Sequence, residues 1–128
     1  MRKKILILLS SAIFILLSNG YSQDDRWLYV GSNDNVSVYY DNETVKRGDN
    51  STIVLLKFIN ANDSKNQYII YKIELYCYKD KYKLITVTVY PFEGVPYTYK
   101  YNEIKDIIPE SFEETAYRMF YGTIDSQK

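Results

Sequence analysis

Few residues in this chain have types and spacing that could do chemistry. Arg47-Gly48-Asp49 sets a guanidinium and a carboxylate either side of a glycine. At an exposed hairpin tip that tripeptide could present both charges to an integrin, with Arg pairing a carboxylate and Asp completing a metal site on the receptor. The same stretch, read with Asn50, is also ordinary turn chemistry beside a solvated arginine. Tyr97, Tyr99 and Tyr101 alternate with Thr98 and Lys100, which puts three phenol rings on one face of any strand they form. Exposed tyrosines bring large contact area at low entropic cost. Packed across strands, they stabilise a thin sheet instead. Cys77 continues a row with Ile73 and Leu75, which reads as a small buried hydrophobe. As the odd cysteine of an exported chain, it is also a candidate for an interchain disulfide.

Composition excludes more chemistry than it suggests. The chain has 128 residues with 16 basic and 16 acidic side chains, one cysteine and no histidine. Without histidine there is no ordinary general base near neutral pH and nothing to activate Cys77 as a nucleophile. One cysteine precludes an intrachain disulfide and a cysteine-rich zinc site. Asp24-Asp25 reads as a chain terminus, and Glu113-Glu114 reads as a first helical turn, where negative charge complements the helix dipole. Neither pair suggests two converging carboxylates. No phosphate-binding glycine loop occurs. The expectation is a non-enzymatic domain with no cofactor and no metal. A formal charge of zero argues against nucleic acid as a partner.

The elements that position these residues follow from hydropathy. Arg2, Lys3 and Lys4 precede an aliphatic run at 5–17, and small residues follow at Ser18, Gly20 and Ser22. This is the pattern of a signal peptide over residues 1–22, with cleavage after Ser22 or, in competition, after Gly20. It leaves one exported domain at 23–128, mildly acidic, with no membrane span after cleavage. No cysteine near the cleavage region could take a lipid. Strands are predicted at 27–30, 36–41, 52–60, 68–78 and 83–90, with a short edge strand at 97–101 flanked by prolines that could not sit inside a sheet. Gly31 to Asn35 and Gly48 to Asn50 read as turns. In 68–78 the odd positions are apolar, and the even ones, Tyr68, Lys72, Glu74, Tyr76 and Tyr78, face water. In 83–90, Ile85, Val87 and Val89 oppose Leu84, Thr86 and Thr88. Ser111 and Glu114 form a capping box, followed by Phe112, Ala116, Met119 and Phe120 at helical spacing and Gly122 as a stop. The fold class expected is α+β: an antiparallel sheet of about five to six strands with one C-terminal helix packed on it.

The order of landmarks resembles the surface-adhesin protein E family of exported bacterial proteins. The resemblance rests on Trp27, Val30-Gly31, Val38-Tyr39-Tyr40-Asp41, Val45, Arg47 with the Gly48-Asp49-Asn50 turn, and the strand from Ile53 to Phe58. It continues through Ile73-Glu74-Leu75-Tyr76-Cys77, Tyr82-Lys83-Leu84, and Ile108-Pro109-Glu110-Ser111 with Glu114. It implies the sheet-and-helix fold above and adhesion to host extracellular-matrix or serum proteins. Many members carry a second cysteine near the C-terminus that pairs with the central one; Tyr121 stands at that position here. Partner-binding expectations are therefore the loop Arg47, Gly48, Asp49 and the tyrosines Tyr97, Tyr99, Tyr101, with a host matrix protein or a second copy of the chain as partner. The alternative is a periplasmic structural or envelope-maintenance protein with no host ligand.

Overall fold

The computed structural model describes residues 26–77 and 79–122. The expected signal peptide at 1–22, its expected cleavage sites and Tyr78 lie outside the described residues. The strands are β1 (Trp27–Asn33), β2 (Val36–Asp41), β3 (Lys46–Arg47), β4 (Ser51–Asn60), β5 (Asn66–Tyr76), β6 (Lys81–Pro91) and β7 (Tyr97–Asp106), followed by helix α1 (Phe112–Tyr121). All pair antiparallel in one sheet of order β1-β2-β4-β5-β6-β7, with the two-residue β3 beside β4. The architecture is the expected α+β one. It has seven strands rather than five or six, because β3 adds a short arm to the hairpin ahead of β4.

Alternation puts one face of each strand into the core. Val38, Val54, Leu56, Ile73 and Leu75 are buried, and Ala116 and Tyr117 cover them from the helix. The expected alternation in β6 fails at one point. Leu84 pairs with Ile73 and Val87 with Tyr71, and the register slips between them at Ile85. This bulge reverses the parity of the strand, so Leu84 joins Val87 and Val89 in the core and Ile85 does not. A second bulge in β1, between Tyr29 and Gly31, carries that strand on to Asn33. Gly31 is thus a strand residue and not a turn. The reversal falls at Asp34, which takes a positive φ of 39°.

The helix begins as the sequence predicts. Ser111 Oγ accepts from the Glu114 N–H at 3.2 Å. The return bond differs from the usual box: Glu114 Oε1 accepts from Glu110 N–H at 2.9 Å, one residue before the cap. Gly122, at φ 82°, closes the helix by donating to the Arg118 carbonyl. The inward stripe is rotated from the expected one. Ala116 and Tyr117 are buried and Met119 is exposed. Phe112 meets Phe58 edge-on at 5.7 Å, and Phe120 meets Tyr40 at 5.5 Å. At the far end the Tyr121 hydroxyl and Thr52 Oγ1 share a hydrogen bond. Where the resemblance implies a cysteine, the helix is held by a phenol.

The densest polar contact is at Asp41, a fully buried carboxylate. It accepts two bonds from Arg26, through Nε at 3.0 Å and a terminal nitrogen at 2.9 Å. The Glu43 N–H and Thr44 hydroxyl complete its coordination at 3.0 and 2.8 Å. Burial alone would raise the Asp41 pKa. The hydrogen bonds from Arg26, Thr44 and Glu43, together with the Arg26 charge, outweigh burial and hold it below the ordinary value.

Two outcomes follow from these contacts. A depressed folded pKa gives stability that is present above the unfolded value of about 4 and lost as pH falls through the lower folded one. Asp41→Asn should therefore cost about 2–4 kcal/mol at pH 7, since it strands Arg26 and loses charged hydrogen bonds. Its melting temperature should also fall less steeply than the parent's below pH 4. Tyr121→Phe should cost about 1–2 kcal/mol by leaving the buried Thr52 hydroxyl without its partner, measured by urea unfolding.

Candidate functional site

Strand β7 is the edge of the sheet and is exposed along its whole length. Tyr97 pairs with Val89 and Tyr99 with Val87. Directly paired residues share a face, so the tyrosines lie on the helix side of the sheet, next to the buried valines. The helix does not reach them: Tyr97, Tyr99 and Tyr101 are 45%, 51% and 42% exposed. Their rings run along the edge as a ladder, Tyr97 to Tyr99 edge-on at 5.4 Å and Tyr99 to Tyr101 tilted at 6.5 Å. Phe92 and Val95, both exposed, continue the apolar surface into the β6–β7 turn. On the other side of β7, Thr98 bonds to Thr88 and Lys100 pairs with Thr86.

The ladder ends at Asn102, which has φ 61° and sits in a bulge where β6 counts one residue fewer than β7. Asparagine tolerates this left-handed conformation better than most side chains. Beyond it the strand continues to Asp106, five residues past the end expected from the sequence. Glu103 and Lys105 pair with Leu84 and Tyr82 on the same face and form an ion pair at 3.6 Å.

The wall of this surface nearest the core carries Tyr71 and Tyr82, both half-buried against the core cluster. Burial raises the pKa of both, and the negative charge of Glu113 in the first turn of α1 adds to it; Tyr82 is pushed up to about 12. Tyr101 also acts on Tyr71. Tyr71 lies in the row Tyr71–Val87–Tyr99, and Tyr82 pairs with Lys105, so both phenols share the helix-side face with the ladder. Sequence reasoning identified the ladder. It missed Tyr71, Tyr82 and Glu113, whose approach depends on strand register and helix docking.

The other predicted contacts lie elsewhere. Arg47 ends β3, pairing with Thr52, and Gly48 closes the turn with its N–H to the Ser51 carbonyl at 2.7 Å. Gly48 and Asp49 are exposed at the hairpin tip. The Arg47 guanidinium lies 5.0 Å over the Phe120 ring, tied back to the helix. Three strands separate β3 from β7, a span of about 19 Å across the sheet, so the loop and the ladder form two separate surfaces. Cys77 is not in the buried row: β5 ends at Tyr76, and Cys77 is a half-buried turn residue whose N–H bonds to the Asn50 carbonyl.

The opposite face of the sheet carries a second aromatic row that the sequence did not reveal. Lys57 Nζ lies 4.7 Å from the Trp27 ring and 4.5 Å from the Tyr68 ring. Tyr68 in turn stacks on Tyr90 at 4.6 Å. A shallow depression of about 440 Å³ is lined by Trp27, Tyr39, Lys57 and Ile59. The described residues contain no cluster of three or more His, Cys, Asp or Glu side chains that could hold a metal. No helix among them is long and apolar enough to cross a membrane.

The fold and its surfaces define a class: a single-sheet α+β domain with an aromatic edge. Comparison with models of protein families, with curated proteins and with solved structures finds no match.

Alkaline titration checks the burial of Tyr71 and Tyr82. A raised tyrosine pKa gives stability that is present below pH 10 and lost as pH rises toward 12. Absorbance at about 295 nm should show a late-ionising tyrosine class. Tyr82→Phe should remove one phenol from that class.

Proposed function

We propose that the protein is an exported, non-enzymatic binding domain of the kind its resemblance to the protein E family implies, contacting a partner protein through β7. The observation that carries this reading is the ladder Tyr97, Tyr99, Tyr101: three half-exposed rings in line on an edge strand that no described element covers. Tyrosine is enriched at protein interfaces because it offers a large apolar body with a polar tip. A strand edge adds unpaired backbone groups that another chain can use. Host matrix or serum proteins are the partner class we put forward. The Arg47-Gly48-Asp49 loop is the lesser contact, since Arg47 would have to leave Phe120 to reach a receptor.

The test has two arms. Immobilised matrix proteins should retain the parent chain, and Tyr97→Ala, Tyr99→Ala and Tyr101→Ala together should reduce retention at least about tenfold, some 1.4 kcal/mol. The triple variant should melt lower, since its rings cover Val87 and Val89, so retention is compared at a temperature where its unfolding curve shows it folded. An epitope appended after Lys128 should be digested on intact cells. Retention unaffected by the triple variant would remove β7 from the contact. Protection of the epitope until the outer envelope is opened would favour an envelope-maintenance role instead.

A further inference from the structure

We infer that the face of the sheet opposite α1 holds a linear acidic polysaccharide, whose carboxylate or sulfate groups pair with Lys46, Lys72 and Lys100. This surface lies on the other side of the sheet from the β7 tyrosines and does not depend on them.

The first observation is spacing. Lys46 pairs with Ile53, and Lys72 pairs with Leu55 on one side and, through Thr86, shares a row with Lys100 on the other. Ile53, Leu55 and Thr86 alternate with the buried Val54, Leu56 and Val87, so the three lysines share the face turned away from the core. They stand on β3, β5 and β7, which are every second strand across this part of the sheet. Two strand spacings make about 10 Å. That is the length of a disaccharide unit, so a chain with one acidic group per unit, laid across the strands, meets an ammonium at each step.

The second is shape. Lys46 and Lys72, with Thr44, Ile53 and Leu55, line a cavity of about 250 Å³. The depression lined by Trp27, Tyr39 and Lys57 follows two residues further along β4. There the rings of Trp27 and Tyr68 hold the Lys57 ammonium at 4.7 and 4.5 Å, which fixes a further cation on this face.

The third is charge. Lys46, Lys72 and Lys100 make no ion pair among the described residues. The acids of this face are engaged. Asp106 pairs with Lys81, Glu74 accepts from Ser51 Oγ at 2.6 Å and stands opposite Lys83, and Asp41 is buried against Arg26. The face is thus positive although the chain as a whole is neutral.

Two other polyanions fit less well. A single nucleic acid strand needs open ring faces for its bases. Here Tyr68 is stacked on Tyr90 and meets Lys57, and Trp27 meets both Lys57 and Arg26. A lipid surface takes up raised apolar side chains. Ile53, Leu55, Ile59 and Ile70 are half-buried instead. Thr86, set between Lys72 and Lys100, suits a hydroxyl-rich chain.

The probe is an end-labelled chondroitin sulfate decasaccharide, with an uncharged dextran of equal length as its counterpart. Binding to the purified protein is read by anisotropy. Chondroitin sulfate should bind and dextran should not. Lys46→Gln, Lys72→Gln and Lys100→Gln together should weaken binding at least about tenfold, since each removes a charge-assisted hydrogen bond. Lys100→Glu alone, an exposed change on the edge strand, should weaken it too. Lys65→Gln, Lys79→Gln and Lys105→Gln together change the net charge equally but away from this face, and should leave the affinity within about twofold. Equal binding of dextran, no loss in the first triple variant, or equal loss in the two triple variants would overturn the inference. So would tighter binding of an oligothymidylate, a polyglutamate peptide or phosphatidylglycerol vesicles, because the face would then serve a different polyanion.

Discussion

One short helix has to cover a sheet much wider than itself. The six strands of the hydrogen-bonded path span about 24 Å, and a helix is about 10 Å across with its side chains. Docked over β1, β2 and β4 through Phe112, Phe120 and Tyr121, α1 seals the residues beneath it and leaves the β7 end of that face open. A sheet face left to water would normally turn polar along its edge strand. Here the uncovered part turns aromatic, with Tyr71, Tyr82, Tyr97, Tyr99 and Tyr101 in place of a second helix. Phenols tolerate this position because their bodies pack on the valines of β6 while their hydroxyls reach solvent.

The two ends of the sheet are held in different ways. At the β1 end, polar order is local and tight: Asp41 draws together Arg26, Glu43 and Thr44, and the Asn42 N–H bonds to the Arg26 carbonyl at 2.7 Å. Four donors on one buried carboxylate anchor the chain where it enters the sheet. At the β7 end, contacts are aromatic and exposed, with ion pairs only at the charged half of the strand. Buried polar bonding is thus concentrated at the edge far from the proposed contact, and β7 is held by its ladder with β6.

Much of this fold was legible in the sequence because alternation survives where strands are regular. Val54 and Leu56, or Ile73 and Leu75, declare their face without help. The failures have physical causes. The bulge at Ile85 reverses parity, and no composition signal marks it. Tyr117 is the most completely enclosed large side chain of the helix, yet as a tyrosine it was not counted in the apolar stripe, so Met119 took its place. The edge strand was expected to stop at Tyr101, because Asn102, Glu103 and Lys105 break its apolar pattern, yet it runs on to Asp106. Arg26 and Asp41 meet across 15 residues, and nothing local announces them. The alternation of Tyr97, Tyr99 and Tyr101 showed that they share a face; only the pairing with Val87 and Val89 shows which one.

Asn102 divides β7 into two unequal docking lengths. On one side lie five residues, Tyr97 to Tyr101, bounded by Pro96, about 16 Å of backbone. On the other the strand is twisted by the bulge and guarded by inward charges, the arrangement by which sheets discourage indefinite growth. An open edge of that size is a ruler. A strand added beside it would run only as far as the asparagine, so an edge that is open to pairing is too short to seed a fibre.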